Sequence, residues 1–287
     1  MIVQGKEKID GYDADFNWEM FDYLSEIIES NRKRKMKNSP YLHDSLNDKE
    51  TPKSKSWHGC NSYKEAENLA INGWKEAEEN ESLNDIFNLK IDDEDKLISF
   101  KNDVVGFTPV VPLVLQGVPK CMTNVSKKRV KSKIIHLVYN ISITCGTQSE
   151  EIMNAGIELF KVIMKLERQG YRVRLTAMQE FSNRESGDCM LLNLKSEYKP
   201  LHITSMMFPL IHTSMFRVIG FGWFERSPIT KPKSGYGHQF TTEFGKPCLI
   251  KLLKKVLKTE NLIYLEFKEI DGKKADEIIK FISKIIK

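Results

Sequence analysis

The sequence lacks a long apolar run. No uninterrupted apolar stretch reaches the roughly 18 residues that a membrane-spanning helix requires. Residues 1–15, MIVQGKEKIDGYDAD, are charged and do not contain the apolar core of a secretory signal peptide. We therefore expect a protein that stays in the cytoplasm of the cell that makes it, with no membrane partner.

Cysteine is scarce and scattered along the chain. The number of cysteines is odd, they lie far apart, and no two of them form a Cys-x-x-Cys pair. This pattern favours reduced thiols over a disulfide framework or a cysteine-based metal cluster. The five residues are Cys60, Cys121, Cys145, Cys189 and Cys248.

Motifs that bind nucleotides are missing as well. No strand is followed by G-x-G-x-x-G, and the chain contains no G-x-x-x-x-G-K-[ST]. The loop SITCGTQSEE has a single glycine and could place backbone amides near an anion at a helix start, which is a weak signal shared by many α/β folds. The sequence therefore predicts no cofactor.

The apolar segment 202–228, HITSMMFPLIHTSMFRVIGFGWFERSP, raises the question of catalysis because it contains two histidines and two arginines. His202 and His212 are ten positions apart and have no spacing that indicates a metal ligand set or a catalytic triad. We interpret the segment as buried architecture with His212 as a hydrogen-bonded interior residue. Arg217 and Arg226 are expected to pair with carboxylates. The carboxylates considered are Glu185 and Glu225.

A metal remains an alternative at the loop Asn140-x-Ser142-x-Thr144. This spacing resembles the Asp-x-Ser-x-Ser loop with which von Willebrand factor A domains bind Mg²⁺, but the carboxylate position is the neutral Asn140. One interpretation is a set of polar residues that bond to the backbone at the end of a strand. The other is a metal site completed by a distant carboxylate such as Asp188.

Charge is unevenly distributed, although the net charge of +5 is mild. Basic runs at 31–37 and 127–133 flank an acidic segment at 76–96. Such blocks are most often solvated, and the functional interpretation is contact with phosphates or an acidic protein. The candidate partner- or phosphate-binding residues are Arg32, Lys33, Arg34, Lys35, Lys127, Lys128 and Arg129.

The N-terminal part divides into three segments by pattern. An apolar stripe predicts a helix over 15–30, and the polar residues after it predict a mobile linker, so 1–56 is expected to be a helical arm with a linker. Within 57–74, Ser62 and Glu65 have the spacing of a capping box at the start of a helix. Residues 103–122 are interrupted by proline and glycine and are apolar, which predicts a buried, extended segment. We expect 57–125 to form a small helical and extended subdomain.

The chain from 126 to 287 has an α/β pattern. β-branched and apolar runs predict strands at 134–143, 171–178, 189–196 and 262–269, with amphipathic helices at about 150–169, 249–258 and 275–287. The first two strands and the helix between them have the pattern of a right-handed crossover between parallel strands. This alternation predicts an α/β domain with a mostly parallel sheet and helices on both faces.

Several motifs together resemble a family of uncharacterised proteins from tailed-phage genomes, over roughly residues 57–228. The resemblance implies a von Willebrand A-like or Rossmann-like layer in the second half. The motifs are Trp57-x-Gly59, Ser62, Glu65-Ala66, Leu69-Ala70 and Gly73-Trp74; Pro112-Leu113-x-Leu115-x-Gly117-x-Pro119-x-Cys121-Met122; Gly170-Tyr171-x-Val173; and Phe208-Pro209-Leu210-Ile211-His212-x-Ser214-Met215-x-Arg217.

Phage accessory proteins of this size often bind and disable host proteins, and inhibitors of the Gabija defence complex offer an analogy of length alone. The first hypothesis is thus a non-catalytic, homo-oligomeric phage protein that binds a host or phage protein and inhibits a defence complex. A nucleic-acid-associated replication or packaging factor is the second hypothesis, based on the basic runs. A metal-assisted hydrolase that uses Ser142 and Thr144 is the third.

Overall fold

A computed structural model describes residues 2–74, 98–127, 133–231 and 236–285, and only the backbone at 98–100 and 125–127. Its centre is a six-stranded sheet in the order β1-β2-β8-β7-β6-β9, and a separate three-stranded sheet has the order β3-β5-β4. The strands are β1 (Val3–Lys8), β2 (Asp15–Phe21), β3 (Ile98–Asp103), β4 (Thr108–Pro109), β5 (Met122–Lys127), β6 (Ile134–Asn140), β7 (Arg172–Asn183), β8 (Ser186–Lys195) and β9 (Leu262–Glu266).

Helices cover both faces of the large sheet, as predicted. Successive residues of β6 point to opposite sides, so Leu137 and Tyr139 join one core while Val138 joins the other. Among the described residues, no helix has the length and apolar character needed to cross a membrane. The helices are α1 (Leu24–Lys33), α2 (Lys55–His58), α3 (Tyr63–Asn72), α4 (Val111–Leu115), α5 (Ser149–Arg168), α6 (Ile203–Ile211), a π-helix (Met215–Gly220), α7 (Phe221–Arg226), α8 (Phe240–Glu243), α9 (Lys246–Leu257), α10 (Phe267–Ile270) and α11 (Ala275–Ile285).

The α/β class is confirmed, but the sheet is mixed rather than mostly parallel. The pairs β2–β8, β6–β7 and β6–β9 are parallel, whereas β1–β2 and β7–β8 are antiparallel. The predicted crossover through α5 joins β6 to β7 in parallel. The next connection has only two residues, 184–185, between β7 and β8. So short a turn can join only antiparallel strands.

The prediction of a helical arm over 15–30 is wrong in its first half. Residues 15–21 form β2, which is paired with β1 and β8, and the helix α1 begins only at Leu24. Phe16 and Met20 have the spacing of a helical stripe, but with Trp18 between them they also alternate with polar residues at the period of a strand. Pairing within the sheet selects the strand, because the polar side chains between these residues have buried hydrogen-bond partners there.

The segment that follows α1 is irregular but held to the body. Residues 34–54 contain no helix or strand, yet Leu42 and Ser45 are buried. The helix start predicted at Ser62 is confirmed, since its hydroxyl accepts a hydrogen bond from the Glu65 amide at 3.0 Å. The Glu65 carboxylate accepts a hydrogen bond from the Asn61 amide at 2.8 Å, and not from the Ser62 amide as in the predicted capping box. The division of the chain into segments 1–56, 57–125 and 126–287 stays a prediction.

The prediction of a buried, extended segment at 103–122 is wrong. The stretch contains the short strand β4, the helix α4 and the start of β5, and none of the residues 101–124 is buried. Its apolar side chains lie on the surface of the three-stranded sheet unit. Apolar composition favours burial, but it does not require that the burying surface come from the same chain.

Candidate functional site

Most of the apolar segment 202–228 is buried architecture, as predicted, whereas residues 202, 204 and 205 at its start are exposed. Residues 206–220 are all buried, and they form α6 and a wider π-helical turn. Gly220 at the end of that turn lies against the Gln179 side chain, since a Cβ at this position would come within 1.7 Å of Gln179 Oε1. The π-helix thus packs its backbone against the end of the buried Gln179 side chain, which would have to move to admit a larger residue at position 220.

His212 is an interior histidine whose ring nitrogen Nδ1 has a hydrogen-bond partner. Its Nδ1 accepts a hydrogen bond from the Ser214 amide at 3.2 Å, and its ring stacks on Phe208 and meets the edge of Trp74. Burial lowers the pKa of His212 to about 4. The imidazole is therefore neutral near pH 7 and has a structural role in this arrangement.

Arg217 departs from the prediction of a carboxylate partner. Its guanidinium donates to the carbonyl oxygens of Trp57 at 2.8 Å, Thr144 at 3.1 Å and Thr147 at 2.9 Å. It also lies over the Trp57 ring, 4.5 Å from the centroid, so a cation–π contact adds to the hydrogen bonds. Arg226, by contrast, pairs with Glu225 at 2.8 Å, which confirms that prediction.

The carbonyls around Arg217 explain this difference. The loop that follows β6 turns the oxygens of residues 144 and 147 inward, and these are the acceptors that a buried guanidinium needs. Arg217 therefore fastens this loop, the helix α2 and the π-helix to one another. Burial lowers the pKa of Arg217.

The polar residues at the end of β6 bond to one another. The Asn140 side chain accepts from the Ser142 amide at 2.8 Å and donates to Glu180 at 2.9 Å and to the Tyr264 hydroxyl at 2.8 Å. The Ser142 hydroxyl accepts from the Glu180 amide at 2.8 Å and donates to the Glu180 carbonyl at 3.2 Å. Thr144 contacts Thr147 instead, with 2.9 Å between the hydroxyl oxygens.

Electrostatics at this strand end also fit a structural role. Burial raises the pKa of Glu180 to about 8, and the nearby carboxylate of Glu266 acts in the same direction. A protonated carboxyl is a poor ligand, because metal binding requires the deprotonated form. Asp188, the distant carboxylate considered for a metal, instead accepts from Asn17 at 2.9 Å and from the Lys231 amide at 2.8 Å. Within the described ranges, no three His, Cys, Asp or Glu side chains are placed to hold a metal.

The first basic run is partly engaged in ion pairs. Arg34 forms a two-pronged pair with the fully buried Glu19, and Arg32 pairs with Glu67. Burial acts to raise the pKa of Glu19, but hydrogen bonds from Arg34, Ser227 and Trp223 outweigh it, so the pKa is lowered. Lys33 pairs along the helix with an exposed glutamate, and the side chain of Lys35 is exposed.

The second basic run lies mostly beyond the description. Lys127 is the last residue of β5 and is described only by its backbone, while Lys128 and Arg129 fall outside the described residues. The binding of a partner or of phosphate by the seven basic residues stays a prediction.

A cleft of about 890 Å³ opens where β8 extends past the end of β2. Buried apolar side chains form its floor, and polar and charged side chains stand at its rim. Its size lies within the range usual for ligand sites, about 300–1,000 Å³. The floor includes Leu192, Met206, Phe208 and Pro209, and the rim includes Asp22, Asn72, Arg174, Lys199, His202 and Ser205.

A second surface is apolar and exposed. We call it the apolar surface and define it by Val104, Val105, Val111, Val114 and Leu115, whose exposed fractions lie between 47% and 82%. All five lie within 12 consecutive positions on the small sheet unit, around β4 and α4. Isolated exposed apolar residues are ordinary, whereas several exposed together are typical of interaction surfaces.

Comparison with known proteins gives one family. A family model described as "Domain of unknown function (DUF7192)" matches residues 16–286. No curated protein and no solved structure matches the chain. The family model spans nearly the whole sequence, from β2 to the last helix. The chain therefore belongs to the DUF7192 family.

Proposed function

We propose that this chain is a non-catalytic, protein-binding factor whose partner docks on the apolar surface. The single observation that supports this function is the exposure of five large aliphatic side chains within residues 104–115. Complete burial of a valine or leucine side chain is worth roughly 1.5–3 kcal/mol. A protein that covers this surface gains a substantial part of that free energy at each position.

The interior of the large domain supports the same proposal. The groups that could have formed a catalytic centre, His212, Arg217 and the polar residues at the end of β6, are buried and bonded within the core. These contacts favour a function that is carried out at the outer surface of the protein. Hydrogen bonds to neighbouring groups hold these side chains in fixed positions within the core.

The partner class is proposed from the resemblance to tailed-phage proteins. A phage accessory protein meets host proteins, so a host protein, and in particular a component of an anti-phage defence complex, is the first partner to test. Self-association through the same surface belongs to the proposal, since clustered aliphatic residues also suit the contact between two copies of one chain.

The test variant carries both Val105→Ser and Leu115→Ser, and the control variant carries both Val3→Ser and Ile285→Ser. All four side chains are exposed, but only the first two belong to the apolar surface. Tagged proteins are used to purify partners from host lysate, and the recovered partner is then titrated as a pure protein by calorimetry. Losing about 1 kcal/mol at each of two sites weakens binding roughly 30-fold.

We expect the control to bind like the wild type, with unchanged circular dichroism for both variants. Equal affinity of the surface variant for the purified partner would contradict the proposal. So would the absence of a stoichiometric partner together with a monomeric mass in light scattering.

A further inference from the structure

The cleft contains a stretch of open strand edge. β2 pairs with β8 in parallel from Asp15↔Ser186 to Phe21↔Leu192, and there the pairing stops. The chain leaves β2 to start α1, while β8 continues for three more residues to Lys195. On the side toward β2, no described strand lies beside residues 193–195. Exposed strand edges accept an added strand through backbone hydrogen bonds.

Surrounding side chains suit an extended chain at this edge. On the other side, residues 193 and 195 pair with β7, with a bulge between these two pairs. The Asn193 side chain is held by Thr176 at 3.2 Å and by Asp22 at 3.0 Å. An apolar floor beside a fixed strand can take every second side chain of an added strand.

Two basic side chains and one acidic side chain, Asp22, stand at the rim, so the balance of charge there favours an acidic occupant. Arg174 has one carboxylate nearby, Glu197 at 3.8 Å, and its side chain is 41% exposed. Lys199 is exposed at the same rim. The side chain of Lys195 is fully buried, and its ammonium group pairs with Glu167 at 2.6 Å. Lys195 therefore holds the strand in place and adds no unpaired charge to the cleft.

We propose that the cleft binds an extended segment of a partner protein, in which apolar and acidic residues alternate, as an added strand beside residues 193–195. Backbone hydrogen bonds to the strand edge provide affinity, the apolar floor takes one set of side chains, and Arg174 and Lys199 select the acidic set. This site is distinct from the apolar surface and does not depend on the function proposed above.

The probes are three labelled eight-residue peptides, measured by fluorescence anisotropy with the full-length protein at low salt. The first alternates valine and glutamate, the second replaces glutamate with lysine, and the third is the first peptide with every backbone nitrogen methylated. We expect binding of the first peptide only, since the second has the wrong charge and the third cannot donate the hydrogen bonds of a strand. No binding of the first peptide, or equal binding of either of the others, overturns the proposal.

A pair of variants separates site binding from general attraction. Arg174→Gln with Lys199→Gln removes two charges at the cleft, and Lys280→Gln with Lys284→Gln removes two exposed charges outside it. Surface pairs of about 0.5 kcal/mol each give a loss of roughly fivefold for the cleft variant. The control is expected to retain wild-type affinity. An equal loss in both variants shows that the peptide binds by overall charge and refutes the site.

Discussion

Glu180→Gln tests the buried strand end through the pH dependence of stability. In the native protein the pKa of Glu180 is raised from 4.5 to about 8, chiefly by burial. The unfolded chain loses this proton above about 4.5, whereas the native state keeps it until about 8. Stability from this group is therefore fully present below pH 4.5 and is lost as pH rises to 8.

The magnitude follows from the same two pKa values. Their difference is about 3.5 pH units, and each unit corresponds to about 1.4 kcal/mol, so the upper limit is roughly 5 kcal/mol. Between pH 5 and pH 8 the loss from this residue amounts to roughly 3.5 kcal/mol. The glutamine variant has no ionisable group at this position, so this part of the pH dependence disappears.

Urea unfolding at pH 5 and pH 8 measures the effect. We expect the variant to become more stable relative to the wild type by roughly 3.5 kcal/mol between these two pH values, with all other titrating groups cancelling in the comparison. Glu260→Gln is the control, because that side chain is 94% exposed. Parallel curves for wild type and Glu180→Gln would falsify the reasoning.

Three further substitutions test the packing around the sites. Arg217→Met leaves one buried and two partly buried carbonyls without their donor, so we expect a loss of about 1–3 kcal/mol in the free energy of unfolding, measured in urea. Gly156→Ala brings a methyl group within 1.8 Å of an Ile211 side-chain carbon, which should cost about 1–3 kcal/mol, whereas Gly146→Ala meets no atom within 4 Å and should cost less than about 1 kcal/mol. Ser62→Ala removes the cap of α3 and should cost about 1 kcal/mol by thermal unfolding.

Each of these three has a result that contradicts it. An Arg217→Met variant as stable as the wild type would mean that water or other donors satisfy the loop carbonyls. Equal stability of Gly156→Ala and Gly146→Ala would contradict the close contact between α5 and α6. An unchanged melting temperature for Ser62→Ala would show that packing alone holds the start of α3.

Local patterns in the sequence were sufficient for much of the large domain. The predictions for the strands β6 and β9 and the helix α11 lie close to the observed positions, because each has one dominant period and a clear boundary. The strand β7 begins near its predicted start but continues five residues beyond its predicted end, to Asn183. The structural interpretation of His212 was also correct. Its apolar neighbours and the missing catalytic spacing both indicated an interior residue.

Errors arose where two local patterns competed or where the partner was distant in sequence. Residues 16, 18 and 20 fit a strand as well as the start of a helical stripe, and only pairing with β8 selects the strand. The apolar composition of 103–122 predicts burial, although proline and glycine at this density are also typical of surface turns. The prediction of a carboxylate partner for Arg217 is wrong, because a search for charged residues does not consider backbone carbonyls as acceptors.

The sequence by itself determined the α/β class, most elements of the large domain and the buried character of the segment 202–228, because periodicity and hydropathy are local properties. Tertiary structure alone decided the mixed direction of the sheet, the carbonyl cage around Arg217, and the two candidate binding surfaces. The cleft is assembled from four separated parts of the chain, at 22–25, 70–73, 174 and 192–209. No local pattern encodes such a site, since it exists only when strand pairing brings those parts together.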